Sequence, residues 1–347
     1  MKAVRLHEEG RVLVQEVPDP TPGPGELRVE IGAAGICGTD LHAAHGRLPV
    51  PTLPVVMGHE GAGVIDAVGK GVREFSVGER VLLLPSETCG KCAACEAGHL
   101  GLCPEARIFG MARDGTFAER IVVPESCAVP LPENVPFEHG AILADAVATS
   151  YHAVATRGCI SGGERVAVIG CGGVGYHAIL IARLLGAESV VAIDTSSGSL
   201  RRALEAGVDA TVDAGREDAR RAIRSAAGGN GPDLVIEYAG RKSSAELALA
   251  CVARGGRVVL GGVSLERPEL PTLMSFVGRE ITVTGSMGYM RAELAEVLKW
   301  AASGELDLSR SITARYPLDR APEALADLEK RRGDPIRLAL IPSGPVT

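Results

Sequence analysis

Arg165-Val-Ala-Val-Ile-Gly170-Cys-Gly172-Gly173-Val174-Gly175 runs a β-type apolar segment straight into a G-x-G-x-x-G pattern. An apolar-periodic stretch follows at once, with Val174, Ala178, Ile181, Ala182 and Leu185 spaced for one helix face. The glycines alone say little in a chain that holds 44 of them; strand before and helix after are what make the pattern a dinucleotide fingerprint. In that context Gly170 permits the tight turn, Gly172 lets the backbone approach a pyrophosphate, and Gly175 lets the helix lie close to the sheet. Gly173 and Val174 open the helix, whose free N–H groups and dipole favour phosphate. The next strand-like run ends in Asp194, nineteen residues past Gly175. A carboxylate there accepts the ribose hydroxyls and repels a 2′-phosphate, and no Lys or Arg follows before Arg201, so NAD is expected rather than NADP. A flavin could use the same turn, but no further flavin-binding signal accompanies it.

Outward from this stretch the texture is regular. Strand-like runs at 189–194, 233–237, 256–261 and 280–284 alternate with helical periods, as βαβ units of a parallel sheet do. The α/β texture begins near Ala146. Before it, β-branched runs at 27–31, 63–68 and 80–84 are separated by Gly- and Pro-rich turns, which predicts a small, irregular antiparallel β domain. After Gly288 the pattern predicts amphipathic helices over 291–303 and 322–332 and a last apolar run over 336–341, with 343–347 fraying. The charge runs 217–224 and 329–334 read as solvated helix faces.

Within the β-rich third, Cys89, Cys92, Cys95 and Cys103 lie at spacings of three, three and eight, the ligand type and reach for one tetrahedral zinc. A zinc knuckle on nucleic acid is the rival use of such a lobe, but Lys91 is its one basic residue and the chain carries a net charge of −7. A second, unlike constellation lies upstream: Cys37-Gly-Thr39-Asp40-Leu-His42 and Gly58-His59-Glu60. Cys37 and His59, 22 residues apart on separate loops, have metal-ligand chemistry, though a buried Cys beside an unrelated His has the same spacing. The remaining thiols, Cys127, Cys159, Cys171 and Cys251, are expected to pack as small apolar groups, and the remaining histidines to be surface or satisfied core residues.

At 347 residues, 46% hydrophobic and 23% charged, the chain has the composition of a two-domain globular protein. Its charge offers no attraction to nucleic acid or anionic membrane, no apolar run approaches membrane-spanning length, and the N-terminus breaks into charge at Lys2 and Arg5. A cytoplasmic protein is expected, its clustered thiols serving metal rather than disulfides.

The order and spacing of Gly35-Ile-Cys37-Gly-Thr-Asp-Leu-His42, Gly58-His59-Glu60-Gly-Ala-Gly63, the four-Cys lobe, Asp114-Gly-Thr-Phe-Ala-Glu119 and Gly170–Gly175 resemble the zinc-dependent medium-chain alcohol dehydrogenases, over residues 1 to about 341. The resemblance implies a GroES-like β domain over 1–146 and 287–347, a doubly wound Rossmann domain over 147–286, and an active site in the cleft between them. It implies two zinc ions per chain. Cys37, His59 and Asp145 would ligate the catalytic one, with Glu60 as alternative or exchanging ligand. The lobe thiols would hold the structural one. Asp145 also admits a plainer reading, an acid at a helix N-terminus. By the same resemblance Asp40 supports His59, Thr39 and His42 relay a proton through the cofactor ribose hydroxyls, Thr149 and Val174 line the nicotinamide, and Arg337 reaches the pyrophosphate. The implied reaction is hydride transfer between an alcohol and NAD, the zinc acting as Lewis acid on the alcohol oxygen. A homodimer or homotetramer is implied as well. Thr39, Phe109 and Met287 are suggested as pocket residues. The rival expectations are a polyol, amino-alcohol or biosynthetic-intermediate dehydrogenase, a carbon–carbon double-bond reductase, and a silent NAD-binding protein.

Overall fold

Runs such as Arg165–Ile169 and Ser189–Asp194 are apolar on both faces, the composition of strands covered by helices on either side. In a computed structural model, which describes residues 1–216 and 218–342, they form the centre of a six-stranded parallel sheet. Its strands are Arg165–Ile169, Ser189–Asp194, Ala210–Asp213, Leu234–Glu237, Arg257–Leu260 and Thr282–Gly285, in the spatial order 3-2-1-4-5-6. The order reverses between the first and fourth strands, and ligands of such sheets bind at the carboxyl ends there. Arg165 fixes that central pair from the opposite end, its Nε and Nη2 lying 2.9 and 2.6 Å from the Asp233 carboxylate. One face packs Ala167, Ile169, Val191, Ile193 and Val235 against Ile223 and Leu249 of the covering helices. The short edge strand Ala210–Asp213 carries no readable signal in the sequence, because Val212 is the one larger apolar residue among its four and leaves no periodicity to read.

Chain contacts divide the molecule into two units, Ala146–Glu293, which holds this sheet, and Met1–Asp145 together with the chain from Leu294 on. The second unit is built on strands Ala128–Pro130, Arg80–Leu83, Glu60–Val68, Glu26–Ile36, Arg337–Ile341 and Ile312–Pro317, with Arg120–Pro124 also pairing with Glu26–Ile36. All neighbours are antiparallel except the last two strands, Ile312–Pro317 and Arg337–Ile341. The expected strand over 27–31 runs on to Ile36. Gly32 and Gly35 are not turns there. A Cβ on Gly32 would stand 2.5 Å from the Phe137 ring, and one on Gly35 would stand 2.0 Å from Glu60 Oε2. Both are close-approach positions inside a strand.

Helix Arg291–Ser303 matches its expected bounds, and the last apolar run is strand Arg337–Ile341. The expected tail at 343–347 and the first residue of the 217–224 charge run lie outside the described residues. Among the described residues no helix is long and apolar enough to cross a membrane.

Candidate active site

Three strand ends meet at one end of the antiparallel sheet. Glu26–Ile36 delivers Cys37, Glu60–Val68 begins just after His59, and Arg337–Ile341 begins with Arg337. The registers Gly35↔Glu60 and Leu338↔Ile36 bring residues separated by three hundred positions side by side. Asp145 arrives from a fourth element, a π-helical turn at Leu143–Val147 that follows helix Phe137–Ile142. That helix lies close to the sheet because Gly32 faces Phe137 and Gly140 faces Ala62 and Leu131. Widened turns of this kind favour functional positions by re-aiming one side chain.

The ligand atoms of Cys37, His59, Glu60 and Asp145 all lie within 4.8 Å of one another. Asp145 Oδ2 is 3.6 Å from both Cys37 Sγ and His59 Nε2. Asp40 uses both carboxylate oxygens: Oδ2 accepts the Cys37 N–H at 2.8 Å, and Oδ1 faces His59 Nδ1 at 3.4 Å. The carboxylate so turns the other ring nitrogen, Nε2, toward the cluster. The sulfur, nitrogen and carboxylate oxygens form a donor set suited to zinc, and Glu60 Oε2 is buried without a hydrogen bond, an arrangement a bound cation would relieve.

Arg337 is 3% exposed, with Nη2 3.0 Å from Glu60 and 3.6 Å from Asp145. Nη1 donates to the Ile36 carbonyl at 3.3 Å. Charges around it shift accordingly. Burial opposes ionisation of Cys37, but Arg337 and His59 outweigh it and lower the thiol pKa. Burial pushes Glu60 well above the usual carboxylate range, against the pull of Arg337. Burial likewise opposes charge on Asp145, but hydrogen bonding to His59 holds it far below its usual range. For His59, burial disfavours the cation and Asp40 restores it, with a net rise.

Thr39 and His42 lie on helix Gly38–Ala44, capped by Cys37 and Asp40, and a spacing of three puts them on one face. Thr39 Oγ1 is 3.4 Å from Cys37 Sγ. Burial lowers the pKa of His42, aided by Arg47. Of the suggested pocket residues, Phe109 is 1% exposed beneath Arg113, whereas Met287 is 55% exposed.

The lobe thiols make the second cluster. Cys89 and Cys92 stand 3.9 and 3.5 Å from Cys95, and Cys103 Sγ accepts the Cys89 N–H at 3.4 Å. These sulfur separations bracket the ~3.8 Å edge of a tetrahedron with Zn–S bonds of ~2.3 Å. Burial raises the Cys95 thiol, but hydrogen bonds from Cys92 and the Gly90 backbone bring it down to about 7. Of the other thiols Cys127, Cys171 and Cys251 are buried as expected; Cys159 is exposed.

In the parallel-sheet unit each fingerprint glycine has a distinct environment. Gly170 has φ +87°, and a Cβ on Gly175 would stand 1.9 Å from the Gly170 carbonyl. A Cβ on Gly172 would meet nothing within 4 Å, which leaves the open side a pyrophosphate needs. Helix Gly173–Leu184 starts there, its first N–H groups unused by the helix itself. Asp194, 6% exposed, accepts the Cys171 N–H through Oδ2 and the Ser196 N–H through Oδ1, both at 2.8 Å. Thr149 accepts from the Tyr238 hydroxyl at 3.1 Å, and the Val174 carbonyl accepts from Ser150 at 2.7 Å.

Family models match both units: the alcohol dehydrogenase GroES-like domain over residues 23–133 and the zinc-binding dehydrogenase domain over 173–303. An alcohol dehydrogenase of Geobacillus stearothermophilus is 36% identical over 92% of this chain and 93% of its own length. Sorbitol dehydrogenase of Bacillus subtilis is 29% identical over 99% and 98%. Among solved structures, a protein of Sinorhizobium meliloti described as a zinc-binding dehydrogenase bound to NADP superposes with a TM-score of 0.91 at 35% identity, covering 98% of this chain and 99% of its own. The chain belongs to the zinc-dependent medium-chain alcohol dehydrogenase family, with a GroES-like domain and a Rossmann domain.

Proposed function

We propose that the protein is an NAD-dependent dehydrogenase of alcohols that holds two zinc ions per chain, one catalytic and one structural. The observation that carries this is the convergence of Cys37, His59, Glu60 and Asp145 on one point, beside a hydroxyl and a half-buried imidazole. Cys37, His59 and Asp145 hold the catalytic ion, Asp40 orients His59, and Glu60 is held by Arg337 as a reserve ligand. Zinc there supplies Lewis acidity toward the alcohol oxygen. Thr39 accepts the hydrogen bond of the alcohol hydroxyl. His42, further along the same helix face, takes up the proton. Gly170–Gly175 would hold the dinucleotide pyrophosphate and Asp194 its ribose hydroxyls, and the nicotinamide so bound would supply the hydride chemistry.

NAD is proposed over NADP because Asp194 is already held rigidly at the end of its strand, where its charge opposes a 2′-phosphate. Asp194→Asn keeps the shape and removes the charge. It is expected to lower the ratio of kcat/KM for NAD to that for NADP about tenfold, roughly 1.4 kcal/mol. A ratio that stays put shows that Asp194 does not set the preference. A polyol substrate is the second reading, favoured by the likeness to sorbitol dehydrogenase.

The deciding assay follows nicotinamide absorbance with NAD and NADP across primary, secondary, aromatic and polyhydroxy alcohols, with and without a zinc chelator. Chelator-sensitive reduction of NAD by one class supports the proposal and names the class. Silence across the panel in protein holding a single zinc overturns the catalytic assignment.

The partner we propose is a second copy of the chain in a reducing, cytoplasmic setting. Leu265, Leu270, Leu273, Met274 and Val277 are 92, 68, 80, 86 and 69% exposed, close in sequence to the sheet edge Thr282–Gly285, which carries no charge or proline. Monomers rarely leave such patches and edges uncovered. Sedimentation equilibrium should give a multiple of the 35.9 kDa chain mass, and Leu273→Glu with Met274→Glu should shift it toward that mass. A wild-type monomer at micromolar concentration would falsify this.

A further inference from the structure

We propose that Glu237 is a positioning residue for the dinucleotide, its buried carboxylate locking together the turns on which the cofactor lies. The inference rests on reading the Ala146–Glu293 unit as the nicotinamide-cofactor unit. Glu237 is the last residue of the fourth strand and is 2% exposed. A carboxylate that deep is costly unless its oxygens are used. Oε1 accepts from the Gly240 N–H at 2.8 Å and from the Ser244 hydroxyl at 2.7 Å. Ser244 in turn accepts the Arg241 N–H at 3.1 Å and so closes the N-terminus of helix Lys242–Cys251. The Glu237 carbonyl accepts from Gly261 and Gly262 at 2.9 and 3.0 Å, the turn after the fifth strand. Burial raises the pKa of the acid, and the hydrogen bonds from Ser244 and the Gly240 and Ala239 backbone pull it back.

The segment held in this way, Tyr238-Ala239-Gly240, lies against three parts of the expected cofactor bed: the phosphate turn at Gly170, the turn at Gly262, and Thr149. A Cβ on Gly170, in the phosphate turn, would stand 2.6 Å from Ala239 N. A Cβ on Gly262 would stand 2.3 Å from Gly240 N and 2.9 Å from Glu237 Oε2. The Tyr238 hydroxyl donates to the Thr149 carbonyl. These contacts sit at the carboxyl ends of the first, fourth and fifth strands, on the side of the order reversal where dinucleotides bind. The backbones of these turns approach closely enough that neither Gly170 nor Gly262 could carry a side chain without displacing the segment. The mechanism proposed above does not use Glu237, and it touches no metal ligand.

The test is NADH binding, read by fluorescence titration of the full-length, zinc-loaded chain and of Glu237→Ala, Glu237→Gln and Ser244→Ala. Glu237→Ala is expected to raise the Kd for NADH about tenfold and the KM for NAD with it, while kcat changes by less than about threefold and zinc content is unchanged. Glu237→Gln should recover binding to within about threefold, because its amide oxygen still accepts from Gly240 and Ser244. Ser244→Ala, which removes one donor and spares the acid, should raise Kd about threefold and keeps the test open if Glu237→Ala does not fold. A lower Tm with unchanged Kd, measured well below the transition, overturns the proposal, as does a Glu237→Gln variant no better than Glu237→Ala. Wild-type protein that binds neither NADH nor NADPH overturns the cofactor reading and this inference with it. Tight wild-type binding matched by Glu237→Ala overturns the inference alone.

Discussion

His59→Ala is expected to yield folded protein that holds one zinc per chain instead of two and has lost activity on the order of a thousandfold, about 4 kcal/mol in barrier. His59 is 4% exposed, faces Asp145 through Nε2 and Asp40 through Nδ1, and is the only neutral-capable nitrogen donor in the cluster. Its loss leaves Cys37, Asp145 and Glu60, three groups that are anionic when they ligate, with Arg337 as the remaining cation beside them. That set attracts a cation but no longer presents the mixed sulfur–nitrogen–oxygen geometry of a catalytic zinc site. Asp40→Asn tests the same point more gently. The amide oxygen can still accept the Cys37 N–H, while the charge opposite His59 Nδ1 is gone, so a loss of roughly 10- to 100-fold in zinc affinity or activity is expected. Metal content measured beside turnover separates the readings. Full activity in a His59→Ala protein with two zincs would place the chemistry elsewhere.

How much of this was open to reading from sequence differs sharply between the units. The parallel-sheet unit was legible because its signals are local. Arg165–Ile169 is a continuous apolar run, the glycines follow at once, and Asp194 ends the next strand. The β unit hid more, for a physical reason. Gly32 and Gly35 look like turn residues, yet they lie inside an eleven-residue strand because Phe137 and Glu60 need the space of the missing Cβ atoms. Arg337 shows the same limit. Its charge is visible in the sequence, but only the pairing of Leu338 with Ile36 puts it beside Cys37 and Glu60. The spacing of Cys37 and His59 carried little by itself, since nothing local says that two strand ends will meet. Family resemblance supplied that juxtaposition. Glu237 went unnoticed for a related reason. It stands at the end of an apolar strand with no motif around it, and its importance is visible only once Gly240, Ser244 and Gly262 are seen to converge on it.

Cys95→Ser should produce a different failure: loss of one zinc and of the lobe fold, with turnover at 25 °C within about threefold of wild type. The lobe has almost no core of its own. Between Pro85 and Ile108 the only buried residue is Cys103, and the regular structure is one helical turn at Ala93–Glu96, a 3-10 turn at Leu100–Leu102 and the pair Ser86–Glu87 with Arg107–Ile108. So few apolar contacts cannot offset the entropy of ordering some twenty residues, at roughly 1–2 kcal/mol each for backbone alone. Metal binding, worth about 10 kcal/mol or more for structural zinc, is then a main contribution to the order of the lobe. Arg107 and Arg113, both paired with Glu87, anchor the base of the lobe but not its tip. Loss of one thiolate should therefore melt the tip and leave the base in place. Lys91, exposed at the tip, then becomes a site of rapid tryptic cleavage, whereas a zinc-bound lobe resists because cleavage requires local unfolding. Cleavage at Lys91 that is fast in Cys95→Ser and slow in wild type, with zinc halved and kcat retained, would establish this ion as structural. Equal cleavage of both proteins would mean that the lobe holds its shape without metal, contrary to what its missing core requires.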